Sequence, residues 1–181
     1  MIPDFKTYIK ETIWSDIQDR SSGDTVRKED EDKVNTLSPS EMYDYLQSIY
    51  DYTMLYPKYD EKIACGGNFD WYSIDVPLYR YEGRSYDCSL RANYILNKKT
   101  YTLKKIEIEV YFNWRISDKN KLKNNKIRNE LEKRYITTKD SNYLYIRPKR
   151  GKVTNIFIIE VIDFILHISR NEFIPIIRKK K

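Results

Sequence analysis

The chain has 181 residues, 33% of them charged and 40% hydrophobic, which predicts one folded domain with a strongly solvated surface. Its net charge of +6 is uneven: residues 1–60 carry 7 Lys or Arg against 13 Asp or Glu, and residues 61–181 carry 26 against 14. Two cysteines and the lack of an apolar run of ~20 residues exclude a disulfide framework and a membrane-spanning helix, so we expect a soluble protein.

The N-terminal segment predicts a short helix, residues 4–18, with one apolar side. Residues 19–37 contain Ser21-Ser22-Gly23 and few groups to bury, which predicts a loop or extended arm. An amphipathic helix on a tether is typical of a docking element, and we expect Trp14 to fill a pocket on a partner. The predicted partner-binding residues are Phe5, Ile9, Ile13, Trp14, Ile17, Arg20 and Arg27.

A second helix is predicted to begin after Ser38. Ser38 and Glu41 have the spacing of a capping box, and Pro39 suits the first helical position. Met42, Leu46 and Ile49 then recur on one side, so we expect the helix to continue to about residue 52.

Three runs of alternating apolar residues follow, over residues 72–78, 88–96 and 106–114. Short polar turns such as residues 97–100 separate them. This pattern predicts an antiparallel meander with one buried face.

The last third of the chain predicts two helices and a hairpin. A weak helical pattern over residues 118–134 passes through Leu122, Ile127 and Leu131, and a hairpin follows over residues 135–147. Residues 153–169 are mostly apolar and predict a helix buried against the sheet, although their β-branched content also allows a strand.

These elements predict an α+β fold, in which an antiparallel sheet of about five strands packs against two or three helices and carries an N-terminal helical arm. We expect residues 1–37 to form the interaction arm and residues 38–181 to form a single domain. Removal of the arm is therefore expected to leave the core intact.

Two groups of residues have the chemistry of a metal site: Glu160, Asp163 and His167 at helical spacing, and Glu107 and Glu109 on one strand with Asp75 on an earlier one. Both also fit a simpler interpretation, namely the polar side of a half-buried helix or strand. We prefer that interpretation. The sequence therefore predicts no metal, no cofactor, no catalytic residue and no enzymatic activity.

Two basic clusters could contact a nucleic-acid backbone, with Tyr143 and Tyr145 available for base stacking beside the second. A run of charge is more often a solvated surface, and Glu107 and Glu109 would repel a backbone laid across the sheet. Nucleic-acid binding is therefore an alternative function. Its predicted residues are Lys119, Lys121, Lys123, Lys126, Arg128, Arg147, Lys149 and Arg150.

Three N-terminal segments carry a resemblance: Ile13-Trp14-Ser15-Asp16-Ile17, Arg20-Ser21-Ser22-Gly23 and Arg27-Lys28-Glu29-Asp30. Together they resemble an N-terminal motif of small uncharacterised proteins from Bacteroidales and their phages, including the crAss-like phages. The resemblance covers about one-sixth of the chain. It implies a virion component held in place by a shared N-terminal arm.

The expected function is that of a structural or assembly protein of a phage virion, either a head (capsid) accessory or a head–tail connector component. Its expected partners are other virion proteins or further copies of itself, with nucleic acid as an alternative and no membrane. Its expected location is the virion, and the host cytoplasm during assembly. A second alternative is inhibition of a host defence enzyme, since such inhibitors also lack catalytic motifs.

Overall fold

The computed structural model describes residues 28–50, 58–63, 68–79, 87–113, 115 and 117–169. Six strands form one antiparallel sheet in the order β1-β2-β3-β4-β6-β5. The strands are β1 (Lys58–Ile63), β2 (Phe69–Tyr79), β3 (Cys88–Asn97), β4 (Leu103–Phe112), β5 (Ile136–Asp140) and β6 (Tyr143–Arg147). The four described helices are α1 (Lys28–Asn35), α2 (Pro39–Ile49), α3 (Asp118–Arg134) and α4 (Asn155–Ser169). The predicted α+β fold is confirmed, with one strand more than the five expected.

Alternation along the strands gives the sheet an apolar face. Ile74, Leu90, Ile108 and Leu144 lie on it from β2, β3, β4 and β6, and each is at most 1% exposed. They form one core with buried residues of α2, α3 and α4. The helices therefore cover the apolar face, and the opposite face holds the other half of each strand's residues.

The predicted start of α2 is confirmed. The Ser38 backbone N–H donates to Glu41 Oε2 at 2.8 Å, and the Glu41 N–H donates to Ser38 Oγ at 3.4 Å. This capping box satisfies two amide donors that the first helical turn leaves without a partner. Ser38 Oγ also donates to Glu41 Oε2 at 2.7 Å, and this bond, followed by that from the Ser38 N–H, lowers the pKa of Glu41.

Helix α1 corrects the expected loop over residues 19–37, which is wrong over Lys28–Asn35. Val34 is only 2% exposed. The buried Asn155 side chain at the start of α4 donates from Nδ2 to the carbonyls of Val34 at 2.9 Å and Leu37 at 3.0 Å, and it accepts from Tyr94 Oη at 2.8 Å. Asn155 therefore joins α1, α4 and β3 by three hydrogen bonds.

Helix α3 has the predicted bounds but buries fewer of the predicted residues. Ile127 and Leu131 are buried in the core, whereas Leu122 is 71% exposed. Since α-helical side chains advance by ~100° per residue, Leu122 lies almost opposite Leu131. The expectation that Leu122 belongs to the core side is wrong.

Candidate functional site: the polar face of the sheet

The face of the sheet that the described helices leave uncovered is built from alternate residues of β2, β3, β4 and β6. We call it the polar face. It consists of Ser73, Asp75, Ser89, Arg91, Asn93, Glu107, Glu109, Tyr111, Tyr143 and Tyr145.

A row of ion pairs crosses the middle of this face. The strand register places Asp75, Arg91 and Glu109 directly opposite one another on β2, β3 and β4. Arg91 Nη2 lies 3.0 Å from Asp75 Oδ2, and Nη1 lies 3.5 Å from Glu109 Oε1. One cation is thus shared by two carboxylates on neighbouring strands.

Burial of this row is uneven. The side chains of Asp75 and Glu109 are 13% and 12% exposed, whereas that of Arg91 is 40% exposed. Burial alone would lower the pKa of Arg91, but the hydrogen bond and charge of Asp75, with the charge of Glu109, raise it. Arg91 therefore stays charged and presents part of its side chain at the surface.

Tyrosines lie beside the ion pairs. Tyr145 on β6 is directly opposite Glu109 and is 37% exposed. The rings of Tyr111 and Tyr143 lie opposite each other in the next row, with centroids 5.3 Å apart. Desolvation raises the pKa of both Tyr111 and Tyr145, and neighbouring charges, including Tyr143 and Glu109, add to it.

The polar face carries side chains that are suited to contact with another protein. Arg and Tyr are enriched where proteins bind each other, because each offers a large, partly apolar surface with a polar end. Arg91 is held by two carboxylates, and the tyrosines project from a hydrogen-bonded sheet. Little side-chain freedom is therefore lost on binding.

The acidic residues of the two predicted groups each have a partner in an ion pair or a hydrogen bond. Asp75 and Glu109 share Arg91, and Glu107 pairs with Lys105 on its own strand. On α4, Glu160 pairs with Arg134 at 3.3 Å, Asp163 accepts from Tyr50 Oη at 2.7 Å, and His167 is exposed. Among the described residues, no three His, Cys, Asp or Glu side chains are grouped as metal ligands.

The basic residues of the first predicted cluster have different surroundings. Lys119 and Lys126 are exposed on α3. Lys121 pairs with Asp118 at 3.0 Å, Lys123 is half-buried, and the guanidinium of Arg128 lies 5.1 Å from the centre of the Phe112 ring. Arg128 is thus turned toward the core.

The second predicted cluster is divided between two surfaces. Arg147 lies on the same side of β6 as Tyr143 and Tyr145. Lys149 Nζ donates to the Lys133 carbonyl at 3.0 Å, and Arg150 beside it is exposed. Arg147 therefore shares a side of the sheet with the two tyrosines, as the sequence predicted, whereas Lys149 lies against the end of α3.

The predicted partner-binding residues of the N-terminal arm, including Trp14, lie outside the described residues. Of the two cysteines, Cys88 is buried, and desolvation raises the pKa of its thiol well above the ordinary value. Sequence reasoning found Asp75, Glu107 and Glu109 but missed Arg91. The alternation of β3 could have placed Arg91 on the polar side, and only the register shows that it lies between the acids.

No family model matches the chain, and searches of curated proteins and of solved structures return no match. In the part of the chain that the structure describes, none of the helices is long and apolar enough to cross a membrane.

Proposed function

We propose that this protein is a non-catalytic structural or assembly component of a phage particle, of the head-accessory or head–tail connector type, that works through protein–protein contacts. The N-terminal resemblance supports the place in a phage particle. The polar face supports the mode of action. The observation that carries the proposal is Arg91 held between Asp75 and Glu109 beside three tyrosines.

The occupant of the polar face is another protein of the particle. Tyr145 and Arg91 supply the partly exposed surface that the centre of an interface uses, and the flanking carboxylates give it a fixed charge pattern. A partner that presents a hydrogen-bond acceptor toward the exposed part of Arg91 and an apolar residue toward Tyr143 and Tyr145 would complement this surface.

The test uses particles of a phage that encodes this chain, with the chain quantified in purified particles by mass spectrometry. The Tyr143→Ser, Tyr145→Ser double variant should fold, because Tyr145 is 37% exposed and Tyr143 is half-buried, but should be depleted from particles. A loss of about 2 kcal/mol of contact energy corresponds to roughly 30-fold weaker binding.

Tyr101→Ser is the matched control, because Tyr101 is 73% exposed in the β3–β4 turn, away from the polar face. It should enter particles at the wild-type level. Absence of the wild-type chain from particles, or normal incorporation of the double variant, would contradict the proposal. Stable association with a purified host defence nuclease instead would favour the inhibitor function.

A further inference from the structure

Positive charge is concentrated in one part of the chain. Residues 118–152 carry 12 Lys or Arg against four Asp or Glu, an excess larger than the net charge of +6 of the whole chain. Three of those acids are already paired within the segment: Asp118 with Lys121, Glu130 with Lys133 and Glu132 with Lys139. Residues 118–152 therefore have a net charge of +8, from 12 basic side chains minus four acidic ones.

Helix α3 arranges part of this charge in a line. Lys119, Lys126 and Lys133 are spaced seven residues apart and are all exposed. Seven residues advance by almost two turns, so the three side chains lie along one side of the helix over about 21 Å. Between them the outward surface carries Leu122, exposed, and the exposed Asn125 and Asn129, whose amides can also donate to phosphate.

The turn after β6 adds further cations, of which Lys149 contacts the end of α3. Lys149 donates to the carbonyl of Lys133, which fixes the turn against the last helical turn. Arg150 and Lys152 flank Gly151, whose φ of +83° is a conformation that glycine adopts without strain, and both cations are exposed. We call this surface the basic ridge: Lys119, Lys126, Lys133, Lys149, Arg150 and Lys152.

We propose that the basic ridge binds the phosphodiester backbone of nucleic acid without reading its sequence. A straight line of cations about 21 Å long passes about 12 phosphate charges when it lies parallel to a duplex, so the ridge meets its partner along its whole length. This inference does not depend on the proposed function, because the ridge and the polar face lie on opposite sides of the sheet.

Other polyanions fit the ridge less well. A helix that lies in a membrane interface needs a broad apolar side, and Leu122 is the single apolar residue among those named on the outward side of α3. An acidic protein would need carboxylates in a matching straight line, whereas a nucleic-acid backbone provides such a line in any sequence.

The experiment measures fluorescence anisotropy of a labelled duplex of about 20 base pairs, and of a single strand of equal length, between about 50 and 200 mM salt. The full chain should bind with a dissociation constant on the order of 10⁻⁴ to 10⁻⁶ M near physiological salt. The variant Lys119→Gln, Lys126→Gln, Lys133→Gln should bind at least about tenfold more weakly. Its slope of log affinity against log salt on duplex should be shallower by about 1.8 to 2.7, since each lost phosphate contact contributes ~0.9 and Lys133 also pairs with Glu130.

The control variant is Lys99→Gln, Lys104→Gln, Lys105→Gln, which removes the same charge from the β3–β4 hairpin. For this variant, the slope of log affinity against log salt should differ from the wild-type slope by no more than about 1. Thermal unfolding of both variants should match the wild type, because all six side chains are exposed.

Binding to the duplex or to the single strand with this dependence on the ridge supports the proposal. No binding by the wild type would overturn it, as would equal losses in the two variants, which indicate attraction by net charge alone. The last arm of the experiment measures binding of the chain to vesicles of phosphatidylcholine and phosphatidylserine. Tighter, ridge-dependent binding to these vesicles than to nucleic acid would also overturn the proposal.

Discussion

Asp163 is an acidic side chain that α4 turns toward the interior. Its Oδ1 accepts a hydrogen bond of 2.7 Å from the hydroxyl of Tyr50, which follows α2 and is 4% exposed. Burial raises the pKa of Asp163 from 3.8 to about 6, and the Tyr50 hydrogen bond opposes that rise. The folded state therefore favours the protonated carboxyl group.

We expect Asp163→Asn to make the protein less sensitive to pH. Because the folded pKa exceeds the unfolded one, the stabilisation by the protonated group is complete below pH 3.8 and is lost as pH rises through about 6. Asparagine stays neutral and can still accept from Tyr50. The variant should therefore gain about 3 kcal/mol relative to the wild type between pH 4 and pH 8, measured by urea unfolding.

Asp44→Asn serves as the control, since Asp44 is exposed on α2. The pH dependence that belongs to Asp163 is the part that Asp163→Asn shows beyond Asp44→Asn. A constant difference between Asp163→Asn and the wild type would show that Asp163 is ionised in the folded protein throughout.

Across the strands, Arg91 has a structural role as well as the contact role proposed above. It is the cation nearest to two carboxylates whose side chains are nearly 90% buried. Asp75 Oδ1 has no hydrogen-bond partner among the described residues, so Asp75 depends strongly on the bond from Arg91 to Oδ2. Loss of the guanidinium would leave two anions on β2 and β4, the strands on either side of β3, without their shared cation.

We expect Arg91→Met to destabilise the fold by about 2 kcal/mol. This is less than the 3–5 kcal/mol typical of a fully buried pair, because the Arg91 side chain is 40% exposed. Denaturant unfolding measures the loss. Adding Asp75→Asn and Glu109→Gln should restore at least half of it, and a triple variant no more stable than Arg91→Met would contradict the electrostatic explanation.

Elements with a strong local signal could be predicted from the sequence. The capping box of α2 uses residues three apart, and the alternation in β2, β3 and β4 is visible without knowledge of the fold. The hairpin of β5 and β6 and the choice of helix for α4 are likewise confirmed.

Elements that depend on distant partners could not be predicted. Helix α1 has the sequence Lys-Glu-Asp-Glu-Asp-Lys-Val-Asn, with one apolar residue, and it packs through an asparagine 121 residues away from Val34. Strand β1 is rich in charged residues, and only its pairing with β2 identifies it as a strand. The same holds for the candidate site. Its acidic residues could be identified from the sequence, but the position of Arg91 between them is known only from the strand register.

At the scale of the whole molecule, the sheet separates the two proposed surfaces. The polar face lies on one side, and the basic ridge on α3 lies beyond the helical layer on the other. A single copy could therefore contact a protein partner and a nucleic-acid backbone at the same time without steric conflict.

The α1 contacts change the expected effect of N-terminal truncation. Removal of residues 1–27 keeps α1, whereas removal of residues 1–37 also deletes Val34 and the two carbonyls bound by Asn155. We expect the second truncation to be less stable than the first by about 3 kcal/mol, from lost apolar burial and an unsatisfied buried amide. Calorimetry should show the lower midpoint, and equal midpoints would mean that α1 adds nothing to the core.

The hydrogen bonds between α4 and the α1 segment also set an order of folding events during synthesis. Asn155 is translated 121 residues after Val34, an interval of about 6 to 24 s at ~5–20 residues per second. During that interval α1 has no Asn155 to bind, and Val34 lacks its place against α4. Helix α1 can therefore dock only after α4 has been translated, and a nascent chain that stops before α4 leaves its first described helix undocked.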